Sequence, residues 1–201
     1  MGIVVIGYGG HSYVVLETCT LLGISILGYC DYQEKKKNPY ELVYLGEEST
    51  ELLRDKHWIV GIGDNAVRRN VYDGIASCDT AVSIIHPKAI VSTTASVGSG
   101  SFLGAGSIVN AMASMGKGSI INSGAIVEHE CKLGDFVHIA PGAVLAGGVS
   151  VGNGSFVGAN AVVRQNTSIG SNVTIGAGAV VVKDVPDNTV VIGNPAKALK
   201  K

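Results

Sequence analysis

Stepping by six from Val91, the chain meets an aliphatic side chain, Met115 included, sixteen times in succession and ends at Val181. If about a third of positions were aliphatic by chance, such a run would have a probability on the order of 10⁻⁸, so the period reports structure. The fifth position of the same hexads, from Ala95 through Ser101, Ser107 and Ala113 to Ala179 and Val185, holds only Ala, Ser, Cys, Thr or Val. That column has to be tight. Glycine fills the second position in half of the hexads. One large and one small inward column per six residues describe short strands joined by sharp corners, where glycine tolerates the positive φ a corner needs. Three hexads per coil make a triangular prism, with each strand stacked on the one eighteen residues later at about 4.8 Å. Sixteen hexads then give about five coils, on the order of 25 Å of prism. This is the hexapeptide signature of a parallel β-helix, and the period by itself leaves the hand open.

The first 85 residues carry a different pattern. IVVIG (3–7) reads as a buried strand, GYGGHS as a glycine turn, and residues 11–22 as a helix ending at Gly23. A second strand, ISILGYCD (24–31), ends in Asp31, and EKKKNP is a solvated loop. WIVGIG (58–63) is a third strand, followed by a helix that Asp64 can cap. The expected organisation is a Rossmann-like β-α-β domain over 1–85, an all-β parallel β-helix over 86–186 and a tail over 187–201 that leaves the prism as a strand and short helix. The glycine turn nearly matches GxGxxG, with Ser12 in the third glycine's place, and Asp31 falls about twenty residues on, where a ribose-binding acid belongs. Gly9, Gly10 and His11 then open a helix whose N-terminus suits a phosphate. A tight strand-to-helix turn with no ligand is the simpler alternative. The unit supplies only one mononucleotide-sized half, which disfavours a redox dinucleotide and favours a nucleotide attached to something else.

Net charge is −1 and the 15 basic residues form no long cluster, so nucleic acid and anionic membrane surfaces are not expected partners. The apolar opening lacks a positive leader and breaks at glycines, so neither a signal peptide nor a membrane span is expected. Cys19, Cys30, Cys78 and Cys131 show no CxxC spacing. Reduced, mostly buried thiols in a cytoplasmic protein are the default reading.

The hexad register orients the residues of VEHECKLGDFVH (127–138). Val127 and Cys131 point inward, which makes Cys131 a core residue. His129, at the third position, and His138, at the sixth, avoid both inward columns and project from the prism. Glu128 and Glu130 flank His129, offering a carboxylate to hold one ring nitrogen protonated and leave the other basic. One coil on, the stacked residue is Gly147, in the run Ala146-Gly147-Gly148, where no side chain covers the backbone N–H. An open amide beside a general base is what acyl transfer needs to stabilise an oxyanion. A metal site requires three protein ligands with an open position; only two histidines lie in the repeat, with no HxxxxH pair, and a third ligand would have to be His11 or His86 lent by a neighbouring chain.

IVVIGYGGHS, Asp31, IGDNAVRR, HPKAIVS, INSGAIVEHECKLGDFVHIAPGAVLAGGVSVG and the closing VVIGNPAKALK together resemble the bacterial acetyltransferases that modify sugar nucleotides. These include the UDP-bacillosamine-pathway and GDP-perosamine N-acetyltransferases and the sialic acid O-acetyltransferases. The resemblance covers nearly the whole chain, and NxxxxxEHEC with a histidine seven residues after the cysteine is its specific part. It implies left-handed coiling, a homotrimer, a nucleotide-sugar substrate and acetyl-CoA lying along the prism between subunits, with no metal. It also implies roles: His129 as general base oriented by Glu130, and His138 with Gly147 and the adjoining Ala146 at the acetyl thioester. Asn122 would share that pocket, with His11 reaching it from the glycine turn. Asp31 and the Gly63-Asp64-Asn65 turn would hold the nucleotide. Ser12 and Tyr32 depart from some relatives, which carry a glycine and a second acid there. Lys197, Lys200 and Lys201 are candidates for CoA phosphates. The activity expected is N-acetylation of a nucleotide-linked amino sugar by direct transfer; O-acetylation of sialic acid or a similar sugar, and a non-catalytic nucleotide-sensing trimer, are the alternatives.

Overall fold

The computed structural model describes residues 2–75 and 80–199, so Cys78, Lys200 and Lys201 lie outside the described residues. The N-terminal domain is a three-stranded parallel sheet of β1 (Gly2–Ile6), β2 (Ser25–Cys30) and β3 (His57–Val60) in the order β2-β1-β3. Helix α1 (Gly10–Leu21) crosses from β1 to β2, and α3 (Asn65–Gly74) follows β3. A single-turn helix, α2 (Thr50–Leu53), precedes β3 and has no apolar period to announce it. Strand β3 is shorter than expected because the chain leaves the sheet after Val60, freeing Gly61 to Gly63 to form a loop. Asp64 caps α3 as expected, its Oδ1 accepting the Val67 N–H at 2.9 Å. Ser12 closes the glycine turn: its hydroxyl donates to the Gly9 carbonyl at 2.7 Å and accepts the Gly9 N–H at 2.8 Å. The close helix–strand approach that a third glycine normally permits comes instead from Gly61, where a Cβ would lie 2.7 Å from the Ser12 Cβ.

The prism is a parallel β-helix of seventeen two-residue strands spaced by six, from Ile84–Ile85 to Val180–Val181. Pairing runs eighteen residues apart throughout, as in Ile120 with His138 and Ile126 with Val144. The expected inward columns fill one continuous core in which Leu103, Ile121, Ala125, Cys131, Ile139, Leu145 and Val163 are fully buried. There are six rungs on the face that begins at Ile90–Val91, as the run of inward aliphatics every eighteen residues from Val91 to Val181 requires. Strand Val190–Ile192 stays in the sheet beside Thr174–Ile175, and Lys197–Ala198 folds back antiparallel on it. A helix was expected in the tail, but none is present through residue 199.

The corners correct one sequence expectation. Positive φ falls at the fourth position of the hexad, on Gly100, Gly106, Gly118 and onward, with Asn160, Asn166 and Asn172 substituting. Second-position glycines are not at positive φ, and they are there for lack of space: a Cβ on Gly98 would run into the Gly116 and Lys117 backbone one coil on, and one on Gly158 would lie 2.6 Å from the Ala177 nitrogen.

The three faces differ in their outward, sixth-position columns. One carries Ile84, Phe102, Ile120 and His138, all buried under the N-terminal domain. Their apolar members join one cluster with Ile3, Val5, Val15, Leu16 and Ile59 of that domain. The second carries Ile90, Ile108, Ile126, Val144, Val162 and Val180, all partly or well exposed. The third carries Ser96, Ser114, Lys132, Ser150 and Ser168. No helix among the described residues is long and apolar enough to cross a membrane.

Candidate active site

Two groups of residues carry chemistry, and the loop after β3 joins one of them to the prism. The first is a cleft of about 650 Å³ at the C-terminal ends of β1 and β3, bordered by the Gly7–Gly10 turn, His11, Asp31, Lys35, Glu47 and Gly63. Gly7 is required by its φ of +82° and by Ile62, which a side chain would strike. Gly9 and Gly10 instead face empty space, so they keep the cleft open above the α1 N-terminus. The first turn of that helix carries no acidic residue, and its free N–H groups and dipole are available to an anion. Asp31 is nearly buried, with Oδ2 accepting the Tyr8 N–H at 2.9 Å and Oδ1 paired with Lys35 at 2.8 Å. Lys35, read from sequence as part of a solvated loop, therefore belongs to the cleft.

His11 and His138 meet where this cleft touches the prism, with ring centroids 6.2 Å apart. His138 avoids the core as its register dictates, yet it does not reach solvent: it is 7% exposed, packed edge-on against Phe156 and covered by the N-terminal domain. Its Nδ1 lies 3.1 Å from the Gly63 carbonyl and its Nε2 3.1 Å from Asn122 Nδ2. A carbonyl can only accept, so Nδ1 carries the proton and Nε2 accepts from the Asn122 amide. The Ser123 N–H, donating to Asn122 Oδ1 at 2.8 Å, orients the carboxamide the same way. Burial pushes both imidazoles down to about 4, with His138 and then Arg68 adding to the effect on His11 and Arg68 to that on His138. Both rings are neutral at pH 7. The Nε2 of His11 is buried without a hydrogen-bond partner.

The second group is at the corner between the aliphatic and serine faces. His129 is 60% exposed at its side chain, and its Nδ1 meets Glu130 Oε2 at 3.1 Å. A carboxylate only accepts, so this contact protonates Nδ1 and leaves the Nε2 lone pair free. The ring lies flat on the next coil: a Cβ at Gly147 would be 2.5 Å from His129 Cε1 and 2.6 Å from Nε2. At the third hexad position the backbone N–H turns outward. At Lys117, Asp135 and Ser171 it is taken by a side-chain oxygen from the following coil, whereas Gly147 N–H meets no acceptor among the described residues. Glu130 sits at φ +61°, where most corners use glycine or asparagine, a conformation that costs about 1 kcal/mol or more in a residue with a Cβ. Cys131 is buried and its thiol is pushed up by burial, so it offers no nucleophile.

Of the residues singled out from sequence, Gly9, Gly10, His11, Asp31 and Gly63 share the cleft, and His138 and Asn122 adjoin it through Gly63. His129, Glu130 and Gly147 form their own cluster on a different corner, and no hydrogen bond or ring contact links them to His138 within the chain's described residues. The Ala146 carbonyl accepts from Cys131 Sγ at 3.3 Å. Asn65 turns away from the cleft: its carboxamide donates to the Gly154 and Ser155 carbonyls of the prism. Arg68, Phe136, Lys35 and Phe156 escaped sequence reasoning. Arg68 and Phe136 have a signal in retrospect, because Arg68, Tyr72 and Ile75 follow the inward spacing of α3 and Phe136 stands at a corner position that mostly holds glycine or asparagine. No group of three or more His, Cys, Asp or Glu able to hold a metal occurs among the described residues.

A parallel β-helix with an oriented, partly exposed histidine against an open amide, joined to a one-lobed nucleotide-type cleft, defines the hexapeptide acyltransferase class. Residues 2–75 match the PglD N-terminal domain and residues 112–147 and 148–183 the bacterial transferase hexapeptide (six repeats). The acetyltransferase domain of PglB from Neisseria gonorrhoeae is 39% identical, with 98% of this chain and 99% of that one aligned at a TM-score of 0.91; it has also been solved with acetyl coenzyme A. PerB from Caulobacter crescentus, solved with CoA and GDP-perosamine, is 36% identical over 100% of this chain and 98% of that one, at a TM-score of 0.93. WeeI from Acinetobacter baumannii, at 21% identity over 99% of this chain and 100% of that one with a TM-score of 0.75, shares the fold. Comparison with curated proteins returns no match. The chain belongs to the bacterial hexapeptide-repeat sugar acetyltransferases with a PglD-type N-terminal domain.

Proposed function

We propose that the protein transfers acetyl from acetyl-CoA to the amino group of a nucleotide-linked amino sugar, with His129 as general base. The observation that carries this is the His129 ring, held by Glu130 with its basic Nε2 free, lying against a backbone whose Gly147 N–H has no other acceptor. The sugar amine attacks the thioester carbonyl, its proton passes to His129 Nε2, the Gly147 N–H receives the developing oxyanion, and the C–S bond breaks to release CoA thiolate. A thioester is already activated, so positioning, a base and an oxyanion donor suffice. The relatives solved with acetyl coenzyme A and with CoA and GDP-perosamine support both substrates. The nucleotide belongs in the cleft, its phosphates at the α1 N-terminus and its ribose near Asp31.

The reading also calls for a homotrimer. The exposed column from Ile90 to Val180 is an aliphatic face on a prism whose other outward columns are either docked or polar. Packing three such faces around a threefold axis buries it and brings the corner bearing His129 beside the neighbour's opposite corner, the one bearing Asn122, at the same height. His129 and the Asn122–His138 pair, separate within one chain, then line one groove between subunits. Buried thiols at Cys19, Cys30 and Cys131 fit a cytoplasmic, reducing setting.

The test is thiol release from acetyl-CoA with a panel of UDP-, GDP-, dTDP- and CMP-sugars. Release with amino-sugar nucleotides supports the proposal, release only with hydroxyl acceptors moves it to O-acetylation, and silence across the panel favours a nucleotide-sensing trimer. In the active pairing, His129→Ala should lower kcat by about 10² to 10⁴ with nucleotide affinity nearly unchanged; a near-normal rate refutes the base assignment.

A further inference from the structure

Arg68 is 1% exposed, in the first turn of α3, where the helix dipole opposes a cation. No carboxylate stands within ion-pair distance of it among the described residues. Burial lowers it to about 10, so it remains charged at neutral pH, with the charge of Asp64 supporting it. A hydrophobic side chain of similar volume would join the two domains without an unpaired buried charge. What such a side chain lacks is a rigid array of five N–H donors, and here each finds an oxygen. Nε donates to Gly118 O at 2.7 Å, Nη1 to Ile62 O and Gly63 O at 3.0 Å each, and Nη2 to Asn65 Oδ1 at 2.7 Å and Phe136 O at 3.2 Å.

Those five acceptors have a pattern. Gly118 and Phe136 are successive corners of the prism, whereas Ile62 and Gly63 edge the cleft. The Gly63 carbonyl thus takes Arg68 on one side and His138 Nδ1 on the other. We propose that Arg68 is a positioning residue: by holding the Gly63 carbonyl against the prism it fixes His138 as the Nδ1–H tautomer with Nε2 turned to Asn122, and so couples the seating of the nucleotide loop to the geometry of the transfer groove. Displaced from this clamp, Gly63 no longer selects between the ring nitrogens, and only the Asn122 amide, itself oriented by the Ser123 N–H, is left to bias the tautomer. The consequence for rate rests on the acetyl-transfer reading; the tautomer does not.

The test uses full-length wild type, Arg68→Gln and Arg68→Lys. With ¹⁵N-labelled histidine at pH 7.5, wild-type His138 should show protonated Nδ1 and bare Nε2, and both variants a mixture. With an amino-sugar nucleotide, kcat should fall about 10²-fold, the scale of an ångström's misplacement, with a smaller change in KM. Methylguanidinium should restore part of the turnover of Arg68→Gln, and ethylammonium should not. Wild-type His138 protonated at Nε2 overturns the proposal without any variant, and so does a folded variant that keeps the wild-type tautomer and kcat. If wild type transfers acetyl to nothing, the functional reading fails while the tautomer comparison still decides the role of Arg68.

Discussion

Replacing Gly147 with alanine separates positioning of the base from stability of the prism. The new Cβ would stand 2.5 Å from His129 Cε1 and 2.6 Å from Nε2, against an ordinary carbon contact of about 3.5 Å or more, so the ring has to retreat by about 1 Å. Gly147 is not among the positive-φ residues, and alanine suits its backbone. The ring that moves is 60% exposed and can swing into solvent, so stability should change by less than about 1 kcal/mol. With His129 as the proposed base, a displacement of 1 Å should cost about 10²-fold in kcat, equivalent to about 2.7 kcal/mol in the barrier. Gly178→Ala reverses the pattern: nothing lies within 4 Å of its Cβ but its φ is +67°, so it should destabilise by about 1 kcal/mol and leave kcat alone. Thiol release measures one quantity and urea unfolding the other. Because the alanine acts only through His129, adding it to His129→Ala should cost nothing further. A Gly147→Ala enzyme with wild-type kcat, or a full second loss in the double variant, refutes the claim that the ring works against this backbone.

Acid should weaken the fold. His11 and His138 stand near 4 in the folded state against 6.5 unfolded, so the unfolded chain binds more protons between those values. Stability is then complete above about pH 6.5 and falls toward pH 4 by up to about 3 kcal/mol per ring; urea midpoints at pH 7.5, 6 and 5 check this, and a flat profile contradicts it. Phe136→Ala removes a buried ring that packs edge-on against Tyr72 at 5.4 Å, and unfolding titrations should show a loss of about 3 kcal/mol. Val144→Asp puts a charge in the middle of the aliphatic face; sedimentation should show monomers with no acetyl transfer, and an active monomer would dismantle the shared groove.

What the sequence disclosed depended on how many residues each feature required. The inward columns repeat across sixteen hexads and need only the right volume, so Cys131 and Val127 could be placed in the core from spacing alone. The corner position was misread because glycine occupies two columns for different reasons. Asparagine does not separate the two columns: it shares the fourth position with glycine at Asn160, Asn166 and Asn172, where left-handed backbone is tolerated, but it also stands at the second position at Asn110 and Asn122. The second position also admits Arg164 and Val182, which do not suit left-handed backbone. His138 was oriented correctly relative to the prism but its burial was not legible, since burial depends on a separate domain folding back over Phe102 and Ile120. The inward spacing of Arg68 on α3 was readable, but its role was hidden for the same reason. Its partners are backbone oxygens as far away as Gly118 and Phe136, and a carbonyl carries no residue identity.

The sixth-position column shows how one repeat serves three purposes. Changing that single side chain at intervals of eighteen leaves the core untouched, because it points away from both inward columns. Apolar residues from Ile84 to Ile120 recruit the nucleotide-type domain, aliphatics from Ile90 to Val180 form a face suited to a second copy, and serines keep the remaining face in water. The chemistry then falls at the corners, where the backbone turns its amides outward and side chains are not needed for the core. Asn122 lies at one end of the aliphatic face and His129 at the other, so burying that face between copies assembles the groove with no additional catalytic loop. On the proposed trimer, the prism gains its site by association, so its stability and its activity should respond to different substitutions.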